Sequence, residues 1–497
     1  MKEFKNLGLF LFISILYGPL NATTLEVGPG KTYATPTQAA QIAQPGDTIL
    51  IFPNTYAGGN FIGNLHGHES AFIYFIGVDV ETVIFQGGSQ AFHFSEVSYI
   101  QIENISVTGQ TGNGVNIDDG GTFDSPSHHI KVIGCRFYDM AAQGNNDFLK
   151  LSGIDSFLIE RCFFNHGALG GSGIDMVGCH FGVITNNQFD DLGSNCIQAK
   201  GGSQFVTIKA NYFVNGGQRS LNLGGSTGLA FFRPQNATFE AADLDVYANV
   251  FVGSWAPIAF VGCVRVHVVN NTIIFPENWV IRILQETVDP SRFLLCGDNS
   301  FVNNIIYLNH TLSRQVNIGS NTASNTFLFQ HNLWYNVANP TNSTPQLPVQ
   351  EAGAKVGLDP LFVDANDQNF RLQPSSPAVD AGILTAYHQD ILGQFIPIGP
   401  FMDMGAYEFD YNTTPSSEME KRLDVKITPN PFQSTIRIDF AENIPLSIKI
   451  WDIQGKLLYI SKEWDHSKPK EINVSFLSPG IYILGANQSV VTIYKSN

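Results

Sequence analysis

A set of charged and amide side chains between residues 116 and 233 could carry out acid–base chemistry on an acidic sugar. The set stands out because Asp, Glu, Lys and Arg make up only 14% of the chain. Its members are Asn116, Asp147, Lys150, Asp175, Asn195, Gln198, Lys200, Arg219, Asn222 and Arg233. The proton beside a uronate carboxylate is weakly acidic, so its removal needs a positive charge near the carboxylate, a base for the proton and an acid for the leaving oxygen. The residue types in this set could fill these three roles.

The positive charge could come from several members of the set. Lys150, Arg219 and Arg233 are the cationic candidates, and a calcium ion held at Asp175 is a fourth. We therefore predict Asp175 as a calcium ligand, and we expect no other cofactor. The amide side chains, together with Asp147, are predicted to bind the substrate through hydrogen bonds.

These residues can act together only if the fold brings them together, and the local sequence pattern predicts that it does. Short segments recur in which the first and third residues are apolar and the second and fourth are mostly polar. Examples are Val115–Asp118, Leu149–Ser152, Ile174–Val177 and Ile197–Lys200. Successive side chains of a β-strand face opposite sides, so the second and fourth residues would face outward.

Stacking such strands side by side, about 4.8 Å apart, produces rows of outward side chains. The first predicted row is His93, Asn116, Lys150, Asp175, Gln198, Asn222, Ala259 and Arg282. The second is Asp118, Ser152, Val177, Lys200, Gly224, Val261 and Leu284. The third is Asn113, Asp147, Ser172, Asn195 and Arg219. The polar part of the first row spans roughly 19 Å, which predicts a shallow groove for an extended polymer.

A recurring fragment explains why the strands would stack. Asn or Cys, then any residue, then in most cases a bulky apolar residue returns every 22 to 38 residues. Its occurrences begin at Asn104, Cys135, Cys162, Asn187, Asn211, Asn249, Asn271, Asn304 and Asn332. A repeat of this length is typical of a solenoid in which each repeat forms one coil. We predict that the asparagines occupy turns, where their amides tolerate a left-handed backbone and stack as an internal ladder.

The ladder and the strand spacing resemble the right-handed parallel β-helix of the pectin-lyase-like superfamily, over roughly residues 24–340. The resemblance implies an all-β chain whose main domain is a right-handed parallel β-helix. That fold hosts lyases, hydrolases, epimerases, adhesins and inert spikes, so the reaction must be argued from the site.

A local resemblance points to one reaction. Three segments are similar to the catalytic stretch of the alginate-lyase and chondroitinase-B group of polysaccharide lyases: Ile-Gln-Ala-Lys-Gly at 197–201, Asn-Tyr-Phe at 211–213 and Leu-Asn-Leu at 221–223. The resemblance implies that Lys200 is the base and that an arginine about one coil later assists it. The arginine of that group would fall at Gly224, so the assisting role passes to Arg219, which is nearby in another row.

The same group has acidic calcium ligands just before its lysine, where this chain has Asn195 and Gln198. The metal and the substrate class of the group therefore do not carry over to this chain residue by residue. The resemblance leaves a lyase for a uronate-containing polysaccharide as the main functional prediction.

Two other functions remain open from the sequence. Parallel β-helix glycoside hydrolases use clustered Asp residues as acid and base, and Asp118, Asp147 and Asp175 are the candidates here. These three lie in three different predicted rows. The other alternative is a non-catalytic, carbohydrate-binding or adhesive solenoid.

An enlarged coil at residues 226–245 accounts for the longest spacing in the repeat. We predict that residues 228–234 hang beside the groove, where Phe231, Phe232 and Arg233 would wall a sugar site by stacking and by pairing with a carboxylate. The alternative is that Phe231 and Phe232 only anchor the loop.

The ends of the chain predict export. Residues 1–22 have the lysines, apolar stretch and small-residue cleavage site of a signal peptide. Residues 23–409 would form the β-helix with its N-terminal cap and closing segment, and residues 410–421 a polar linker. Residues 422–497 contain Pro-Asn-Pro-Phe, Asp-Ile-Gln-Gly-Lys and Leu-Ser-Pro-Gly-Ile-Tyr, and they resemble the C-terminal sorting domain of the type IX secretion system of Bacteroidetes. The resemblance implies a small β-sandwich-like domain, contact with that secretion machinery, and a secreted or cell-surface protein.

The overall charge limits the partners. The net charge of −16 argues against a nucleic acid as a partner of the whole surface. The predicted ligand is an acidic polysaccharide bound in a local basic groove, by a protein that we expect to be a monomer. Six cysteines in 497 residues are too few for a disulfide scaffold.

Overall fold

The computed structural model describes residues 22–122 and 125–411, and seven segments of the C-terminal part: 425–428, 432–440, 448–452, 457–461, 470–478, 480–486 and 489–495. The chain forms two compact units that divide near residue 412. The predicted signal peptide and almost all of the predicted linker lie outside the described residues.

Short strands of the first unit stack into three long parallel sheets. We name the sheet that carries the predicted rows the groove sheet. Its strands among the described residues are Asn60–Gly63, Phe92–Ser95, Val115–Asp118, Leu149–Ser152, Ser172–Val177, Asn195–Lys200, Arg219–Gly224, Ile258–Val261, Ile281–Leu284 and Val316–Ile318.

Each coil runs from the groove sheet to the second sheet and then to the third sheet. The described strands of the second sheet are Thr24–Val27, Thr48–Ile51, Ile73–Gly77, Ser98–Glu103, Ser127–Ile133, Ile154–Glu160, His180–Thr185, Ser203–Lys209, Ala241–Ala242, Asp245–Tyr247, Cys263–Val264, His267–Val269, Ser300–Val302 and Leu328–Gln330. Those of the third sheet are Asn54–Ala57, Val83–Gln86, Ser106–Thr108, Arg136–Tyr138, Phe163–Asn165, Gln188–Asp190, Tyr212–Val214, Val250–Val252, Thr272–Ile274, Ile305–Leu308, Leu333–Asn336 and Lys355–Val356. The predicted all-β fold, a parallel β-helix, is therefore confirmed.

Inward side chains of the three sheets fill one elongated core. On the third sheet a column of phenylalanine rings stacks with centroids 4.7–5.0 Å apart. The column is formed by Phe137, Phe164, Phe189, Phe213 and Phe251. Because this separation matches the coil rise of about 4.8 Å, each coil adds one ring to the stack, and stacking favours the register in which the coils align.

The predicted asparagine ladder runs along the turn before the third sheet. Each amide donates Nδ2–H to the Oδ1 of the next at 2.9–3.1 Å. The rungs are Asn187, Asn211, Asn249, Asn271, Asn304 and Asn332. Each acceptor oxygen also takes the backbone N–H of the preceding rung. Glu351 ends the ladder by accepting both the backbone and the side-chain N–H of Asn332.

Two details of the predicted ladder are wrong. The left-handed residue is the one before each rung, such as Asn186 with φ of 57° and Asn270 with φ of 51°. By the same register the first predicted ladder position is occupied by the buried Ile105. Asn104 is the left-handed turn residue before it, with φ of 55°. Asparagine suits both positions, since its short amide tolerates the left-handed region and can also bridge coils, so the sequence pattern did not separate them.

Short elements close the two ends of the solenoid. The helix Pro36–Ala40 is capped by the Thr35 hydroxyl, which accepts from the backbone N–H of Gln38, and its Ala39 and Ala40 are buried against the first coils. At the other end an antiparallel hairpin pairs Phe362–Asp364 with Asn369–Leu372. The remaining described helical turns are 3₁₀ turns at Leu229–Phe231, Ser324–Thr326 and Pro340–Asn342.

The second unit consists of small antiparallel sheets. One sheet contains Val425–Thr428, Thr435–Phe440 and Lys470–Asn473. The other contains Leu457–Ile460, Ile448–Asp452, Gly480–Ala486 and Ser489–Lys495. This unit has its own apolar core. Across the described parts of both units, we find no helix with the length and apolar character needed to cross a membrane.

Candidate functional site

Parallel pairing in the groove sheet puts the residues of each predicted row in register on neighbouring strands. The first row runs in register through Asn116, Lys150, Asp175, Gln198 and Asn222. In the second row, Asp118 pairs with Ser152, Ser152 with Val177, and Val177 with Lys200. In the third, Ser172, Asn195 and Arg219 are in register. Residues as far apart in the chain as Asn116 and Asn222 therefore share one surface.

A pocket of about 740 Å³ opens over the middle of the groove sheet. Outward side chains of four adjacent coils form its floor: Asn116, Lys150, Ser152, Val177 and Lys200. One wall is the turn at 118–121, and the other is the loop at 226–233. The enlarged coil therefore hangs beside the groove, as predicted.

Two lysines of the pocket share one buried carboxylate. Lys150 Nζ contacts Asp175 Oδ2 and lies 3.7 Å from Asp147 Oδ2. Lys200 Nζ lies 3.3 Å from Asp175 Oδ1 and donates to Gln198 Oε1 at 3.2 Å. The side chain of Asp175 is only 1% exposed and that of Asp147 only 4%, against 21% for Lys150 and 14% for Lys200. The ammonium groups therefore reach the pocket, whereas the carboxylates lie beneath them.

Burial and charge set the protonation of this cluster. Burial acts to lower the pKa of Lys150, but the carboxylates of Asp175 and Asp147 outweigh it and leave that pKa above its usual value. Burial, reinforced by the neighbouring Asp175 carboxylate, raises the pKa of Asp147 to about 6. Lys150 is therefore a permanent cation at neutral pH, and Asp147 changes charge within the physiological range.

The calcium ligand predicted at Asp175 does not fit this arrangement. One carboxylate oxygen faces the ammonium of Lys150 and the other faces that of Lys200, so a metal ion would have to displace both. Ca²⁺ takes about six to eight oxygen ligands. In the part of the chain that the structure describes, no group of three or more Asp, Glu, His or Cys side chains is arranged to hold a metal ion.

Arg219 lies away from Lys200, so the two predicted catalytic residues are not brought together. Ala199 pairs with Leu223, which puts Lys200 beside Gly224, five residues and roughly 16 Å along the strand from Arg219. The Arg219 guanidinium instead donates to Asn222 Oδ1 at 2.8 Å and to Glu286 Oε1 at 3.0 Å. Arg219 therefore does not act in the same pocket as Lys200.

Of the four predicted amide residues, one lines the pocket and three do not. Asn116 lines the pocket and donates to Asp118 Oδ2 at 2.8 Å, and Gln198 holds Lys200. Asn195 and Asn222 are buried, at 7% and 2% exposure. Alternation puts Asn116, Gln198 and Asn222 on the outward side, where neighbouring side chains cover Asn222. Asn195 lies two residues before Ile197, so alternation puts it on the inward side with Ile197 and Ala199.

Of the two phenylalanines predicted to wall a sugar site, Phe231 lines the pocket and Phe232 does not. The Phe232 ring is fully buried against Phe293, and the exposed ring that lines the pocket is Phe231, at 68% exposure. Arg233 borders the pocket, but its guanidinium holds Asp155 through two bonds of 2.8 and 2.7 Å and donates to the Gly178 carbonyl at 2.9 Å. Arg233 thus anchors the loop, a role that the sequence analysis had considered only for the two phenylalanines.

The structure adds an acidic residue that sequence analysis did not assign to the lyase site. Asp118 lines the pocket and accepts hydrogen bonds from His93 Nε2 at 2.6 Å, Ser95 Oγ at 2.7 Å and Asn116 Nδ2 at 2.8 Å. Burial acts to raise the pKa of Asp118, but the bonds from Ser95 and His93 outweigh it and lower that pKa. The signal was present in the sequence, since His93 and Asp118 stand in adjacent predicted rows one coil apart.

Comparisons with known proteins agree with this architecture. Residues 70–240 match the model of the right handed beta helix region, and residues 426–496 match that of the secretion system C-terminal sorting domain. Among solved structures, pectate lyase Pel9A aligns with 78% of this chain and 97% of its own, at 14% identity and a TM-score of 0.51. A mannuronic acid specific polysaccharide family 6 lyase from human gut microbiota aligns with 66% of this chain and 78% of its own, at 11% identity and a TM-score of 0.47. A search of curated proteins finds no match.

These findings establish the fold and the route of export. The first unit contains a right-handed parallel β-helix, and the chain ends in a type IX sorting domain that directs it to the cell surface or beyond. At 14% identity the likeness to a pectate lyase concerns the fold alone.

Proposed function

We propose that this exported parallel β-helix protein cleaves a uronate-containing polysaccharide by β-elimination, with Lys200 as the base. The observation that carries the proposal is the pair of lysines in the pocket. Lys150 and Lys200 reach one opening from adjacent rows, above carboxylates that a ligand cannot touch. In a protein of net charge −16, a local pair of ammonium groups favours an anionic ligand in this groove.

The two lysines would have different roles. Lys150, whose pKa is raised, stays charged and neutralises the uronate carboxylate, which makes the neighbouring C–H more acidic. The reaction requires the amine form of Lys200, which accepts that proton while the bond from carbon to the leaving oxygen breaks and a carbon–carbon double bond forms. The ammonium formed at Lys200 then returns the proton to the leaving oxygen, so Lys200 ends the cycle uncharged. This route does not require Arg219.

Hydrolysis by the groove aspartates has less support. A glycosidase needs one carboxyl group to protonate the leaving oxygen and another to activate water. Asp147 and Asp175 are covered by Lys150 and Lys200, and both acceptor oxygens of Asp118 already hold donors. None of the three presents an unoccupied carboxyl group to the pocket.

Product analysis on a panel of polysaccharides tests the proposal. We expect the purified protein to release oligosaccharides from alginate, pectate or a glycosaminoglycan, each product carrying an unsaturated sugar and lighter by one water than a hydrolysis product. Mass spectrometry separates these outcomes in one digest. Products that have gained one water for each bond cleaved would show hydrolysis instead of elimination. Binding of a polysaccharide without any product would show a binding or adhesive protein instead of an enzyme.

The protonation of Asp147 predicts how pH controls polyanion binding. Above pH 6 the ionised Asp147 carboxylate adds a negative charge beside Lys150, whereas below that pH protonation of Asp147 removes this charge from the pocket. We therefore expect affinity for a uronate oligosaccharide to increase about fivefold as pH falls from 7 to 5, from roughly 1 kcal/mol of partly screened attraction. Calorimetric titration across this range measures the change.

Asp147→Asn is the matched control for this pH effect. It keeps the acceptor for the Ser172 N–H but cannot ionise, so its affinity should be high at both pH values. The same dependence of affinity on pH in the variant would assign the effect to a group other than Asp147.

A further inference from the structure

A second basic patch lies on the groove sheet, three coil steps beyond the strand of Lys200. Arg282 occupies the first row there, in register with Ala259 and Asn317. The Arg219 guanidinium, which extends from the third row, is close enough for its positive charge to repel that of Arg282. Burial and then the like charge of Arg219 lower the pKa of Arg282, and only Glu286 opposes them.

Arg282 forms no ion pair with any carboxylate in the described residues. Its Nε donates to the amide oxygen of Asn317 at 3.2 Å, and Glu286 is already bound by Arg219 at 3.0 Å. Five other arginines of the first unit form an ion pair with an acidic side chain: Arg136, Arg161, Arg219, Arg233 and Arg265. Among the described residues, Arg292, Arg314 and Arg371 resemble Arg282 in forming none. A half-buried guanidinium beside a second one costs free energy unless an anion joins them.

Two tryptophans border this patch. The Arg282 guanidinium lies 4.8 Å from the ring centroid of Trp279, and the Trp255 ring stands at 87° to Trp279 with centroids 6.1 Å apart. Trp255 is 46% exposed, although a ring of this size is normally mostly buried. An exposed indole next to an unpaired guanidinium offers an apolar face for a sugar ring and a fork for its carboxylate.

We infer that Arg282, Arg219, Trp279 and Trp255 form a distal subsite that binds an anionic sugar unit of the same polysaccharide chain. The inference rests on the proposed function for its ligand class. Three coil steps amount to roughly 14 Å, about the length of three monosaccharides in an extended chain. The chain would run along the coil axis, with one carboxylate at Lys150 and Lys200 and another at the two arginines. Arg219 thereby acts in binding at a distance from the chemistry.

The distal subsite makes affinity depend on chain length. A uronate disaccharide fills the pocket near Lys200 without reaching Arg282, whereas a hexasaccharide spans both places. We expect Arg282→Gln to weaken hexasaccharide binding about tenfold, the effect of losing one charge-assisted pair of hydrogen bonds, and to leave disaccharide binding unchanged. Arg282 is only partly buried and contacts Trp279 through its guanidinium, not through a core side chain, so loss of folding is not expected.

Isothermal titration of the full chain with uronate disaccharide and hexasaccharide is the test. Arg161→Gln is the matched control, since Arg161 is exposed, lies outside the groove sheet and, among the residues that the structure describes, forms an ion pair only with its neighbour Glu160. Arg282→Lys should recover part of the loss by restoring the charge without the fork. Equal effects of Arg282→Gln on the two lengths, or no effect on either, would overturn the distal subsite.

The same titration separates this inference from the proposed reaction. If Arg282→Gln removes the dependence of affinity on chain length but the protein yields no unsaturated product, the distal subsite stands and the lyase proposal is rejected. If the protein yields unsaturated products but Arg282→Gln does not change its affinity for the hexasaccharide, the lyase proposal stands and the distal subsite is rejected.

Discussion

Lys200→Ala should lower kcat for elimination at least 100-fold, because a positioned general base contributes about 10²- to 10⁴-fold to such a step. The side chain reaches the pocket from the second row and is held by Gln198 at 3.2 Å and Asp175 at 3.3 Å. In the proposed route, Lys200 both accepts the proton and returns it to the leaving oxygen. Initial rates followed by the ultraviolet absorbance of the unsaturated product measure the loss.

Lys200→Arg separates the base from the charge. Arginine keeps the attraction to Asp175 and to the polyanion but stays protonated at any working pH, so it cannot accept a proton. We expect the oligosaccharide dissociation constant to change little while kcat falls as far as in the alanine variant. Lys209→Ala, on the second sheet, is the control and should keep wild-type rates. Substantial turnover by Lys200→Arg would assign the base to another residue.

Asn249→Ala should destabilise the β-helix by about 4 kcal/mol, because several buried groups lose their partners together. The Asn249 amide donates to Ile208 O, Tyr247 O and Asn271 Oδ1 at 2.9–3.0 Å. Its oxygen accepts the backbone and side-chain N–H of Asn211 at 2.9 and 3.1 Å. Alanine removes all five bonds from a site without water access.

Differential scanning calorimetry of the full chain follows this change as a lower transition temperature of the β-helix unit. Asn342→Ala is the control, since Asn342 is exposed and outside the ladder, and its transition should stay within a degree or two of the wild type. A transition of Asn249→Ala as high as that of the control would mean that stacked phenylalanines, not the ladder, hold the coils in register.

The sequence predicted the rows of the groove sheet because alternation in a strand leaves one choice for each side chain. Once Ile197 and Ala199 face the core, Gln198 and Lys200 must face outward, and stacking of coils does the rest. The ladder was predicted for a similar reason, since an amide that recurs once per coil can bond to its own copies. Asn104 was placed wrongly because asparagine also suits the turn position one residue earlier.

The site was predicted less well because its contacts depend on partners that the pattern does not encode. Arg219 is drawn to Glu286, 67 residues away, and Arg233 to Asp155, 78 residues away. Loop residues have no alternation, so nothing in the sequence distinguished exposed Phe231 from buried Phe232. Asp175 was taken for a metal ligand because row assignment cannot show that two lysine side chains bend toward the same carboxylate.

The most direct test of the account is a crystal structure of Lys200→Arg with a bound uronate hexasaccharide. We predict that the chain lies along the groove sheet, with one carboxylate at Lys150 and the carbon that loses its proton within about 3.5 Å of the side chain at position 200. An oligosaccharide bound only elsewhere, with the pocket between residues 118–121 and 226–233 left empty, would contradict it.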